Sequence, residues 1–426
     1  MTDSKSFDVL VAGGGPAGMA AAITASKYAS RVGLIDSNPT PGGQIWRADT
    51  GGKTPESASR WLEQLRQSTV VLLSSTKIID CPAAGVLHVI SEEQPVTLNF
   101  SRLIIATGAR ERFIPFPGWT LPNVMGAGGL QALVKGGYPV SGKRVVIAGT
   151  GPLLIAVAAY LRAQGAHIEM IADQVPWGRW LKFGLGLLWY PDVLAQALTL
   201  KSKTLGIPYL TDAWITEAAG SDRLVSVELS HKGRLQTLAC DILACGFHLV
   251  PNLELPMLLG CRIEHGRLIL DVNQQSSVEN VYGAGEVSGV GGVELSLVEG
   301  QIAAFAATDQ KNLAMALMRK RSRRERFARR VEYTFALRDE LRHLPTAHTR
   351  VCRCEDVDYG ELTKHTSWRS AKLHTRCGMG MCQGRVCGAA SEFLFGWKVT
   401  SSRPPLWPTS INALATLRHM EETDKN

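Results

Sequence analysis

The run Phe7–Ala12 (FDVLVA) is apolar at every position but Asp8 and breaks on three successive glycines. From Pro16 to Tyr28 the chain turns Ala-rich, and the pattern predicts a strand, a Gly-rich turn and a helix through Tyr28. A second apolar run, RVGLID, ends on Asp36, and short strands over 69–105 close on LIIATGAR. The same rhythm restarts at Lys143 (KRVVIAGTG), with a helix over Pro152–Gln164 and a strand HIEMIA. A further strand covers Leu224–Leu229 and a turn-rich stretch runs to Asn280. A third glycine cluster, VYGAGE, then precedes a helix over Gly292–Ala307.

Strands alternating with helices predict an α/β fold with parallel sheets. Elements of the first unit resume after the second, so the reading is of two Rossmann-like dinucleotide-binding domains, the second inserted in the first. The expected boundaries are 1–118 with 250–308 for the first domain and 119–249 for the second. A basic helical linker follows over 309–345, and a small, mainly helical Cys-containing module over 346–426.

At 426 residues the chain has room for two to four domains. Its charge is lopsided: residues 1–310 carry 24 Lys and Arg against 26 Asp and Glu, and residues 311–426 carry 22 against 12. Most of the excess is Arg319–Arg330 (RKRSRRERFARR). Nucleic-acid binding is one reading of such a run; the favoured one is a solvated helix whose Phe327, Val331 and Phe335 form one apolar stripe. The apolar stretch Leu181–Leu200 is broken by Lys182, Pro191 and Asp192, so no membrane span is expected. Without a secretory signal at its start, the expected location is the cytoplasm.

Gly13-Gly14-Gly15-Pro16-Ala17-Gly18 is G-x-G-x-x-G between a strand and a helix. Gly13 permits the turn, Gly15 lets a pyrophosphate approach the backbone, and Gly18 lets helix and strand pack closely. Pro16 and Ala17 open the helix whose N–H groups face the phosphates. Asp36, 18 residues beyond Gly18, is placed to accept from ribose hydroxyls. Gly42, Gly43 and Gln44 follow as a loop that can reach the phosphates or the ring of a flavin.

Gly149 and Gly151 begin the second such turn, but Leu154 stands where the third glycine belongs, and Asp173 falls one residue after the expected acidic position. A nicotinamide is therefore not the favoured occupant; an adenine nucleotide and a vestigial turn both remain open. Five of the nine cysteines fall within Cys352–Cys387. Such clustering in a reducing compartment reads as metal ligation, zinc or iron–sulfur. By contrast, Cys240 and Cys245 have the wrong spacing for a redox switch and read as small buried residues. No base–nucleophile pair is placed by motif, His248, His265, His343, His348 and His374 are scattered, and no catalytic residue is assigned. Trp177, Trp180, Trp189 and Tyr190, with Arg179 and Lys182 between them, read equally as an interface or a core helix.

With Thr107-Gly108 in ATGAR and Gly285-Glu286 in VYGAGE, the glycine motifs resemble those of two-dinucleotide-domain flavoproteins of the glutathione and thioredoxin reductase type. The resemblance implies FAD, with the ATG turn on the flavin nucleotide. The late G-D motif of that group contacts ribityl or pyrophosphate oxygens, and this chain has Glu286 in place of the Asp. Reductases of that group carry a redox Cys pair; Gly42–Arg47 (GGQIWR) and residues 119–239 contain no Cys at all, so thiol–disulfide catalysis is not expected. The module RCGMGMCQGRVC resembles the bacterioferritin-associated-ferredoxin-like [2Fe–2S] domain, which implies Cys352, Cys354, Cys382 and Cys387 as ligands, with Cys377 spare or a substitute.

The combination resembles, over nearly the full length, the α (A) subunits of heteromeric dye-linked amino-acid dehydrogenases. These include proline and D-hydroxyproline dehydrogenases, opine oxidases and the B subunit of hydrogen cyanide synthase. That resemblance implies an electron-transfer subunit holding FAD and a [2Fe–2S] cluster. It also implies a partner, a glycine/D-amino-acid-oxidase-like catalytic β subunit. In some members a flavin mononucleotide lies between subunits and a small ferredoxin-like γ subunit is present. Two other readings are an NAD(P)H-dependent flavin and iron–sulfur oxidoreductase acting alone, and a redox-sensing nucleic-acid-binding protein.

Overall fold

The computed structural model describes residues 4–48 and 56–423. The chain divides into two units, the first 4–110 with 250–328 and 400–423, the second 111–249 with 329–399.

A seven-stranded sheet forms the first unit. Its order is Val71–Leu73, Val32–Ile35, Ser4–Ala12, Gln94–Ile105, Val86–Ser91 and Thr76–Ala83, with Val281–Gly283 also on Gln94–Ile105. The strands nearest Ser4–Ala12 are parallel, whereas Thr76–Ala83, Val86–Ser91 and Gln94–Ile105 are joined antiparallel by tight turns. Ser4–Ala12 is fully apolar near its end because helices cover the sheet, as buried parallel strands require. Helices Pro16–Ala25 and Val293–Ala307 lie together and are buried nearly throughout. They approach closely because their contact is made of small residues: a Cβ added at Gly300 would stand 2.2 Å from the Ala17 carbonyl. The segment from residue 400 also belongs to this unit, with Leu417 of helix Ile411–Thr423 on Ile79. The sequence pattern instead places this segment with the Cys module, in 346–426.

The second unit holds a five-stranded parallel sheet in the order Tyr209–Thr211, His167–Asp173, Arg144–Gly149, Ile242–Gly246, Val124–Gly126. A three-stranded antiparallel sheet, Ala213–Ala219, Ser226–His231 and Arg234–Ala239, stands beside it. The Cys module is built of a two-stranded ladder, Arg350–Cys352 with Val357–Asp358, and helices Tyr359–Leu362, Trp368–Thr375 and Cys387–Phe395. It joins the same unit: Phe393 enters the core of the inserted domain beside Phe116, Trp119 and Phe247, as does Leu341 of the linker before it. Trp119 Nε1 donates to the Arg350 carbonyl at 2.6 Å.

The basic run lies in helix Lys311–Thr334. Phe335, expected on that helix's stripe, stands just past its end and is fully buried, because Phe183 and Trp180 receive its ring edge-on at 4.9 and 6.1 Å between centroids. Trp180 and Tyr190 are inward-facing, while Trp177 and Trp189 are 65% and 79% exposed. That stretch is thus core on one side and surface on the other. Among the described residues no helix is long and apolar enough to cross a membrane.

Candidate cofactor sites

In the first unit the turn from Ser4–Ala12 into Pro16–Ala25 has the shape that a dinucleotide needs. Gly13 has φ +113° and a Cβ there would lie 2.2 Å from the Ala106 carbonyl; at Gly18 it would lie 1.7 Å from the Gly13 carbonyl. Both positions need glycine for packing. Gly15 is different: it has φ −72°, and a Cβ on it would meet nothing within 4 Å. Its missing side chain leaves open space at the first turn of a helix whose N–H groups have no side-chain cap, the setting that receives a phosphate.

The other expected residues gather around that space. Asp36 is buried with its Oδ2 against Gly14, and its Oδ1 accepts from the backbone and side-chain nitrogens of Asn38 at 2.8 and 2.9 Å. The Asn38 side chain in turn accepts from Arg47 at 3.1 Å. Gly43 stands against Gly15, where a Cβ would come within 3.1 Å of the Gly15 Cα, and Gly42 donates its N–H to the Gly14 carbonyl at 2.8 Å. Gln44 follows in the same loop, beside the buried Trp46.

Thr107 and Gly108 are held by a residue the motifs did not flag. Asn252 donates from Nδ2 to the Thr107 carbonyl at 2.8 Å, and its N–H donates to the Gly108 carbonyl at 2.9 Å. Its Oδ1 accepts from Arg110 at 2.7 Å, and Arg110 pairs with Glu254 at 2.8 Å. At the third glycine cluster, Gly285 has φ +73° and faces Ala17, where a Cβ would come within 2.7 Å. The Glu286 carboxyl accepts from the Gly292 N–H at the start of helix Val293–Ala307, and burial pushes its pKa up. The added methylene thus spans to the helix start. Gly285 donates its N–H to Glu299 Oε2 at 3.0 Å. Glu299 is buried, with Arg321 at 3.9 Å, and burial raises its pKa to about 7 against the pull of that guanidinium.

The five clustered thiols converge. Cys352, Cys377 and Cys387, all buried, have sulfurs within 4.8 Å of one another. Cys382 contacts Cys387, and Cys354 contacts Cys382 at the exposed side. Backbone N–H groups of Gly378 and Glu355 point at the Cys352 sulfur, and those of Gly384 and Val386 at the Cys382 sulfur. Hydrogen bonds from the neighbouring thiols, Cys377 and Cys387 to Cys352 and Cys387 to Cys382, carry Cys352 down to about 2 and Cys382 to about 5, and the amides add to the pull. A Cβ at Gly380 would lie 2.4 Å from the Cys354 Cβ, so only glycine lets this loop close. The donor set is all sulfur, which suits zinc or an iron–sulfur cluster. Cys377, expected as the spare, sits in the buried heart of the group. Cys240 and Cys245 are buried and apart from it, and burial lifts both thiols, Cys240 to about 12.

The second glycine turn is built differently. Gly149 and Gly151 have φ +143° and +93°, but the Thr150 N–H donates to the Gly246 carbonyl at 2.8 Å and Phe335 lies over Gly151.

A parallel-sheet fold with a glycine turn, open space at a helix start and a buried acid after the next strand is the frame of a dinucleotide-binding domain. The chain belongs to the pyridine nucleotide-disulphide oxidoreductase family, which matches residues 7–307, and it is an FAD-dependent oxidoreductase of that class. More narrowly, it groups with components of heteromeric enzymes. It is 32% identical to the opine oxidase A subunit of Rhizobium meliloti over 96% of this chain and 99% of that one. It is 31% identical to hydrogen cyanide synthase subunit HcnB of Pseudomonas aeruginosa over 96% and 98%. Among solved structures, L-proline dehydrogenase from P. horikoshii shares the fold with a TM-score of 0.69 at 16% identity, covering 97% of this chain and 80% of that one. Thioredoxin reductase of T. acidophilum matches 72% of this chain with a TM-score of 0.55.

Proposed function

We propose that this protein is the electron-transfer subunit of a heteromeric amino-acid dehydrogenase of the proline, hydroxyproline or opine type. The observation that carries the reading is the convergence of five thiols in a module attached to a flavoprotein fold that lacks a redox Cys pair in its glycine loops. FAD would be held by the Gly13–Gly18 turn, Asp36, the Gly42–Gln44 loop, Thr107-Gly108 and Gly285. A [2Fe–2S] cluster would be held by Cys352, Cys354, Cys382 and Cys387, with Cys377 as the buried fifth thiol.

When bound, the flavin accepts an electron pair and the cluster passes electrons singly. The chain's own residues bind and orient. The open face of Gly15 admits the pyrophosphate, Asp36 accepts from ribose, and Asn252 fixes the Thr107-Gly108 turn by bonding both of its carbonyls. The neighbouring thiols, helped by backbone amides, favour thiolate at Cys352 and Cys382, and the same amides would tune the potential of a bound cluster.

Opine oxidase and hydrogen cyanide synthase are named as assemblies of subunits, which supports a partner. The partner would be an amine-oxidising, glycine/D-amino-acid-oxidase-like β subunit, with a flavin mononucleotide at the interface and, in some complexes, a small ferredoxin-like γ subunit. Substrate choice would rest with that partner, which is consistent with the lack of a motif-placed base here. The test is co-expression with neighbouring reading frames and dye reduction by proline, hydroxyproline and opines. Turnover only when an oxidase-like chain co-purifies supports the reading; full turnover by this chain alone contradicts it.

A further inference from the structure

The inserted domain has the strand, glycine turn and helix of a dinucleotide site, yet its acid, Asp173, and the amides of Thr150 and Gly151 are engaged within the chain. Asp173, at the end of strand His167–Asp173 on the ribose side, is wholly buried. Its Oδ2 accepts from the Tyr209 hydroxyl at 2.7 Å and from Trp180 Nε1 at 3.1 Å, and its Oδ1 from the Val175 N–H at 3.0 Å. The Gly151 N–H, which would face a phosphate, is also donated to this carboxyl. Thr150 gives its N–H to Gly246.

Over this turn lies the chain leaving helix Lys311–Thr334. Thr150 Oγ1 donates to the Phe335 carbonyl at 3.2 Å, and His248 Nε2 donates to the same carbonyl. Gln174 clamps the next residues from both sides: its Nε2 donates to the Ala336 carbonyl at 3.0 Å, and its Oε1 accepts from the Arg338 N–H at 2.9 Å. Arg338 then pairs with Asp212 at 2.7 Å and stacks on Trp214 at 4.1 Å. The Phe335 ring fills the hollow beside Gly151. What is left beside the strap is a pocket of about 290 Å³, at the lower bound of roughly 300 Å³ for small-molecule sites.

We infer that residues 334–338 are an intramolecular ligand of the inserted domain, seated where a nicotinamide dinucleotide's phosphates would lie and closing that site to NAD(P)H. The domain's cleft thereby becomes an anchor for the Cys module, which comes shortly after the strap and packs on the same core through Phe393 and Leu394. This stands independently of which amine the assembly oxidises.

The experiment is hydrogen–deuterium exchange on the full cofactor-loaded chain, with and without NADH or NADPH at about 1 mM, the upper end of ordinary KM values. The expected result is slow exchange at Phe335, Ala336 and Arg338 and across Gly149–Gly151 without nucleotide, and the same pattern with it. Fast exchange of the strap in the free protein would overturn the inference. So would a nucleotide that protects the turn while releasing the strap. In a second arm, Thr150→Val with Gln174→Leu removes the three hydrogen bonds that these side chains make to the strap. Strap exchange should rise about tenfold or more while flavin and iron contents stay unchanged. No rise in a folded double variant also overturns it, and the wild-type arm decides if that variant does not fold.

Discussion

Gly15 and Gly18 stand three residues apart in one turn and are glycine for opposite reasons. A side chain at Gly18 collides with the turn's own backbone, whereas at Gly15 it enters open space. Gly15→Val should therefore give a folded protein with its flavin lost, and Gly18→Val a chain whose first unit fails to form. Absorbance at the flavin band and circular dichroism separate the two. A Gly15→Val protein with full flavin occupancy would contradict the assigned pyrophosphate position. Glu299 offers a pH test. Its pKa rises from the ordinary 4.5 to about 7 because it is buried. Below both values the carboxyl is protonated, folded or unfolded, and contributes nothing; as pH climbs between them the unfolded chain ionises first and stability falls. Glu299→Gln keeps an acceptor for the Gly285 N–H and removes the charge. Its Tm advantage over the wild type should thus grow from pH 5 to pH 8, and a constant difference would contradict the assignment.

At the scale of elements, the Cys module is the place where ligand roles separate. Single Ser substitutions at Cys352, Cys354, Cys382 and Cys387 should each lose iron while flavin remains, and Cys377→Ser should keep it. Iron loss in Cys377→Ser with retention in Cys354→Ser would move the ligand set toward the buried trio of Cys352, Cys377 and Cys387.

The strand–glycine–helix units were legible because their signal is local: apolar alternation, glycines at fixed offsets, and an acid at the next strand's end. The Cys module was legible from spacing and from its likeness to a known domain. What escaped were pairings made far along the chain. Asn252 bonds Thr107 from 145 residues away, and nothing in NLEL marks it. Phe335 continued the four-residue stripe of Phe327 and Val331 and so read as helix. Burial between Trp180 and Phe183 overrides that local period. Glu286 could be read only as a longer Asp, since its reach to Gly292 depends on the turn between them.

Over the whole molecule, the proposed reading makes the parallel-sheet flavoprotein fold, the nucleotide-like domain and the thiol-rich module a conduit. Electrons would arrive from a partner protein and leave through the cluster. NADH and NADPH should therefore bleach the flavin slowly or not at all in anaerobic mixing, and fast bleaching at micromolar nicotinamide would restore the stand-alone reductase reading.

The central claim is tested most directly by electron paramagnetic resonance of the purified heteromeric complex, frozen after anaerobic addition of its amino-acid substrate. The expected result is about two irons per copy of this chain, with a rhombic reduced-cluster signal that appears on substrate addition and vanishes in Cys382→Ser. Stoichiometric zinc without iron, or a cluster that stays oxidised while the flavin is fully reduced, would contradict it.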